Sequence, residues 1–231
     1  MKRLSAPPRN PQALLAGLLV LLAFAACTGS EDEPGKELTY EEAKAQVPLD
    51  GSDREPLFWQ VEPFSDADAA EAAEAVQHYI AVFDILSNTH PIDAEFFSIM
   101  SHFATDERIT ETRGWFPGPR SPSAASNDYT GPRWMWVMDV STLRNAELGV
   151  TVCVDGGWYG YHPDGVFKEV DDPLHQAWGL RGYILRQEDD AETSRWKVHD
   201  TMTMSAMLPE AKVEPLREAC IAWATHDWEG N

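Results

Sequence analysis

Apolar residues recur at Ala69, Ala72, Val76, Tyr79, Ile80, Phe83 and Leu86, the spacing of one helical face. Ser65-Asp66-Ala67-Asp68 stands just before them as a cap with acids in the first turn, so the pattern predicts a helix to about Leu86. Val82 and Ile85 fall off that stripe, which predicts that the second half is covered on two sides. This is the expected central helix. Pro91 opens a second helical pattern through Phe96, Phe97, Met100 and Phe103, and a short third is expected over 106–113. Residues 114–132, rich in Pro, Gly, Ser and Asn, read as a long loop. The period then changes from helical to extended. Strands are expected over 133–140, 147–155, 176–187 and 194–204, with 188–193 as an acidic hairpin tip. In the second strand Leu148, Val150, Val152 and Val154 form one face, while Gly149, Thr151, Cys153 and Asp155 form the other. Alternation this regular suggests antiparallel pairing. The fold class is therefore α+β, N-terminal helices packed on a curved antiparallel sheet, with no internal repeat.

Composition narrows the function classes. The 231 residues are 43% apolar and 24% charged, the balance of a globular domain. Lys and Arg number 18 against 38 for Asp and Glu, a net charge of -20, which excludes a broad basic face for nucleic acid. Three cysteines are too few for a disulfide-dense scaffold.

Lys2, Arg3 and Arg9 precede the apolar run 13–26, the layout of a signal peptide and too short to span a membrane comfortably. Phe24-Ala25-Ala26-Cys27 resembles the lipobox of bacterial lipoproteins. That resemblance implies that 1–26 is removed and that Cys27 takes a diacylglycerol, whose two acyl chains anchor the protein to the extracytoplasmic face of the cell membrane. The alternatives are an ordinary cleavage site beside an incidental cysteine, or an uncleaved anchor. Assigning Cys27 to lipid leaves Cys153 and Cys220, an even pair in an oxidising compartment, for a disulfide. Two buried free thiols are the alternative. With the bridge, the C-terminal segment must reach the sheet face opposite the valines, where Leu216, Cys220 and Trp223 fit one side of a short helix. Residues 27–55 are acidic and poor in aromatics and read as a flexible tether, although Thr39-Tyr40-Glu41-Glu42 has capping-box form. A single domain occupies 56–231.

The order of a long amphipathic helix, shorter helices, then a sheet ending in Arg195-Trp196-Lys197-Val198-His199-Asp200, together with Val150-Thr151-Val152-Cys153-Val154-Asp155, resembles the nuclear transport factor 2-like superfamily, related to the cystatin-like cone. Small actinobacterial lipoproteins with this fold carry similar elements. The resemblance covers about 65–204 and implies a conical pocket between the central helix and the concave sheet. Some members are isomerase-like or dehydratase-like enzymes, and many secreted ones have no known activity.

Asp200 is expected to share a strand face with Trp196, Val198, Met202 and Met204, and Asp84 flanks the helical stripe, so both are candidate general bases. The alternative places both at the surface. Tyr79, Trp134, Trp136 and Trp178 are candidate linings for a small apolar ligand, with a filled core explaining them equally well. Trp158 and Tyr161 stand in the turn-rich loop 155–165, which could stack on a sugar or grip a protein partner. No two histidines have metal-ligand spacing, and no nucleotide or cofactor motif occurs, so neither metal nor cofactor is expected. His78, opposite the stripe, is expected in solvent. The lead expectation is a membrane-tethered, non-catalytic binding or interaction module. A cone enzyme and a glycan-binding lipoprotein are the alternatives, and the sequence leaves the oligomeric state open.

Overall fold

The computed structural model describes residues 38–116, 131–162, 164–170, 177–189 and 194–226. The leader 1–26, Cys27 and the acidic residues to 37 lie outside these, as do 117–130 of the expected loop and 190–193 of the expected hairpin tip.

Residues 38–55 depart from the expected tether: they pack on the domain. Thr39 caps α1 (Tyr40–Lys44), its hydroxyl accepting from the Glu42 amide at 3.2 Å while the Glu42 carboxylate accepts from the Thr39 amide at 2.9 Å. The helix docks because its few apolar groups all find partners. Ala43 is fully buried, and the Tyr40 ring lies 5.7 Å from Phe103 with the Arg195 guanidinium 3.8 Å over it. Lys44 pairs with Glu74, and the Trp59 indole donates to the Leu49 carbonyl at 2.7 Å. Two strands follow that the sequence pattern did not announce, β1 (Gly51–Ser52) and β2 (Glu55–Val61).

Asp66 caps α2 (Ala67–Ile80) by accepting from the Ala69 amide at 2.9 Å. Its inner stripe of Ala72, Val76, Tyr79 and Ile80 is buried, as the spacing predicts. Residues Ala81–Leu86 continue the rod as a π-helix, then α3 (Ser87–Thr89) ends it. Side chains satisfy the carbonyls exposed there: Ser87 donates to Phe83, Asn88 to Asp84 at 2.6 Å and Thr89 to Ile85 at 2.9 Å. Val82 and Ile85 are buried, so the second half is indeed covered on two sides. His78 is buried as well, against expectation, because 38–55 and Phe103 close over that side of the helix. Its ring stacks on Phe103 at 4.9 Å, Nδ1 faces the Glu74 carbonyl at 2.9 Å, and burial lowers its pKa. The helices α4 (Ala94–Met100) and α5 (Asp106–Trp115) begin at the caps Asp93 and Thr105.

The strands β3 (Arg133–Thr142), β4 (Leu148–Gly156), β7 (Ala177–Asp189) and β8 (Ser194–Met202) form a strongly curled mixed sheet in the order β1-β2-β3-β4-β7-β8. Pairing is antiparallel except for β2 against β3, which is parallel. A separate hairpin of β5 (Tyr159–Tyr161) and β6 (Phe167–Glu169) occupies the turn-rich loop. The expected α+β class holds.

Every residue of β4 is buried, because both faces of the sheet are covered. Val150, Val152 and Val154 meet α2 in the main core together with Met135, Tyr183 and Val198. On the other face lie α6 (Met204–Met207) and α7 (Glu210–Trp223), packed through Met207, Leu208 and Val213 onto Ile184. Cys153 and Cys220 are joined there as a disulfide, with Cα atoms 5.5 Å apart and both residues fully buried.

Candidate functional site

Curling of the sheet leaves a pocket of about 500 Å³ between the end of α2, α5 and the strands β7 and β8. A space of this size suits a small molecule. Tyr79, Ile80, Phe83 and Asp84 line it from the helical rod, Arg108 and Trp115 from α5, Leu180 to Tyr183 from β7, and Thr201 to Thr203 from the end of β8 and the residue after it. The π turn contributes directly: Phe83 and Asp84 stay partly exposed toward the cavity while Val82 and Ile85 enter the core.

Two guanidinium groups dominate its polarity. The Arg108 side chain is only 5% exposed and fully engaged. Its Nε donates to the Tyr79 hydroxyl at 2.8 Å, one Nη to Glu111 at 2.7 Å and the other to Thr201 Oγ1 at 3.4 Å, while the Trp115 ring lies 4.9 Å away. Arg181 is less constrained: its side chain is half-exposed, its Nη1 lies 3.8 Å from Asp84 Oδ2, and its charge opposes the rise in the neighbouring Tyr183 pKa. Burial pushes the pKa of both Tyr79 and Tyr183 upward, so both phenols keep their protons throughout the physiological range.

A chain of charges runs from the pocket into the interior. Asp84 Oδ2 accepts from Arg133 Nη1 at 2.9 Å, and Arg133 Nη2 lies 2.5 Å from Glu55 Oε1. Glu55 is 2% exposed, and desolvation pushes its carboxyl up from 4.5 to about 7, with Arg133 pulling the other way.

Of the residues singled out in the sequence, Tyr79 and Asp84 reach the pocket. Asp84 is clasped by Arg133 and faces Arg181, which opposes its use as a base. Asp200 does not share the face of Val198. The β7–β8 register slips between Leu185↔Val198 and Ile184↔Asp200, a bulge that turns Asp200 onto the α6–α7 side, where Oδ1 accepts from the Thr201 amide. Thr201 takes the cavity-facing place instead. Trp134 and Trp136 do share a face, but their partners across the ladder are Asp155 and Cys153, so they lie on the disulfide side of the sheet. Trp136 donates to Glu62 at 2.8 Å and packs near Trp223. Trp178, opposite Asp155, is on that side too and 42% exposed. In the hairpin region Trp158 donates to Asp155 and borders a smaller cavity, and Tyr161 meets Phe167 edge-on at 5.5 Å, so neither reaches the pocket beside α2.

Arg108, Arg133, Arg181, Tyr183, Thr201 and Glu55 escaped the sequence reading. One signal was available: Arg181 and Tyr183 alternate with the core residue Leu185, and an arginine at a core-facing strand position calls for a partner. His226 was also missed. Its Nδ1 lies 3.0 Å from the fully buried Asp155 and its ring stacks on Trp134 at 5.0 Å, pinning the chain after α7 to β4. Among the described residues no three His, Cys, Asp or Glu side chains gather in a way that could hold a metal ion, and no helix is long and apolar enough to cross a membrane. Comparison with known protein families, characterised proteins and solved structures finds no match.

Proposed function

We propose that the chain is a lipid-anchored, extracytoplasmic binding protein whose ligand site is the pocket between α2 and the β7–β8 edge. The observation that carries this reading is the pocket itself: apolar walls with a few convergent polar groups, among them the half-exposed Arg181. The acids proposed as bases support binding over catalysis, since Asp84 is held between guanidiniums and Asp200 lies on the far side of the sheet. The disulfide supports an oxidising compartment, the one to which a lipobox at Cys27 would deliver the chain. Helices followed by a curled sheet, with a cavity between them, also favour a nuclear transport factor 2-like cone, here extended by the parallel strand β2.

The anchor is tested in cells. Mass spectrometry of the membrane fraction is expected to find a mature N-terminus at Cys27 carrying diacylglycerol, and Cys27→Ala is expected to abolish that species. An unmodified mature chain that begins elsewhere refutes the assignment.

A further inference from the structure

We infer that the pocket receives an amphipathic monocarboxylate, its apolar body against Phe83 and Trp115 and its carboxylate held by Arg181 with the hydroxyls of Tyr79 and Tyr183. The inference rests on the pocket being a ligand site and specifies what it takes.

Three observations lead there. Arg181 sits on the helix-facing side of β7, opposite Val152, with its half-exposed side chain lining the pocket, and the nearest acid, Asp84, is 3.8 Å away and already bound to Arg133 at 2.9 Å. An anion in the pocket would complete its pairing in the bidentate form that guanidinium and carboxylate favour. Next, the Tyr79 hydroxyl accepts from Arg108 at 2.8 Å, and Tyr183 lies beside Arg181. A hydroxyl that accepts in this way keeps its own hydrogen to donate, and the guanidinium polarises it. The two rings pack edge to face at 6.1 Å, and both residues line the pocket. Finally, Arg108 is paired with Glu111 and Asp84 with Arg133, which leaves the charge of Arg181 to match a single negative charge on the ligand. The apolar walls of Ile80, Phe83 and Trp115 require an alkyl or aromatic body behind the head group.

Calorimetric titration of the full chain with octanoate and with octanol, which share a tail and differ in the head, tests this directly. Octanoate is expected to bind at least about tenfold more tightly, and Arg181→Gln is expected to erase the preference while leaving octanol unchanged. Tyr183→Phe, which keeps the packed ring, is expected to reduce the octanoate affinity severalfold without changing that for octanol. Equal affinities in the wild type, or a preference that survives both substitutions, overturns the inference and leaves the pocket as a site for neutral ligands. Binding of neither compound overturns the ligand-site reading and the inference with it.

Discussion

Replacing Cys153 and Cys220 together by alanine is expected to lower the unfolding free energy by about 4 kcal/mol, the chain-entropy value for a loop of this length. The bridge spans 67 positions and is the only covalent tie between β4, at the centre of the sheet, and α7 at its back. Without it, α7 is held by the cluster around Val213, the tryptophan contacts and the His226–Asp155 pair. Urea unfolding is the appropriate measurement, and reducing the wild type should bring its midpoint close to that of the double variant. An unchanged midpoint in both cases would show that the bridge adds nothing to the fold.

Arg133→Met carries the second large effect, and it depends on pH. Arg133 is the common partner of Glu55 and Asp84, so its removal leaves a buried carboxyl unpaired, a loss of about 3–5 kcal/mol when that carboxyl is charged. In the wild type the Glu55 carboxyl is raised from 4.5 to about 7, so the folded state holds a proton that the unfolded chain has released between those values. The contribution of Glu55 to stability is thus complete below 4.5, falls as pH rises through about 7 and is flat beyond. Removing Arg133 raises the folded value further and extends the fall to higher pH. The variant is therefore expected to lose least at pH 5, where Glu55 is neutral, clearly more at pH 8, and the full amount only at the higher pH where its own Glu55 ionises. Adding Glu55→Gln, which supplies a neutral group of the same shape, is expected to recover most of the loss at pH 8. A loss equal at both pH values, or one that Glu55→Gln does not recover, contradicts the assigned burial of this pair.

Features set by local periodicity were legible in the sequence. The stripe from Ala72 to Ile80, the off-stripe burial of Val82 and Ile85, and the two faces of β4 follow from helical and strand repeats alone. The Cys153–Cys220 pairing followed from counting thiols once Cys27 is assigned to lipid, and the face of Cys153 then placed the C-terminal segment behind the sheet. What register decides was not legible. One inserted residue in β8 sends Asp200 to the wrong side of the sheet for catalysis, and only the partner strand reveals which face Trp134 and Trp136 occupy. Strand β2 starts with Glu55 and Pro56 and shows no clean alternation, because its parallel partner β3 lies more than seventy residues away along the chain. The charge chain of the pocket escaped for the same reason: Arg133 is 49 positions from Asp84, and nothing local in either segment announces the other. Over 38–55 the tether reading failed through arithmetic of the opposite kind, since Ala43, Val47 and Leu49 are few but all buried or packed on the core.

The central claim is that the cavity between α2 and β7–β8 is a binding site, and filling it is the most direct test. Thr201→Trp places an indole in the space that Thr201 now borders, at an exposed position whose one side-chain bond, from Arg108 at 3.4 Å, is long. Anilinonaphthalene sulfonate, an apolar fluorescent anion, is titrated into the full-length wild type and into this variant. The account predicts saturable one-site binding to the wild type and its loss in the variant, at unchanged thermal stability. Binding of equal strength to both proteins, or no saturable binding to the wild type, contradicts it.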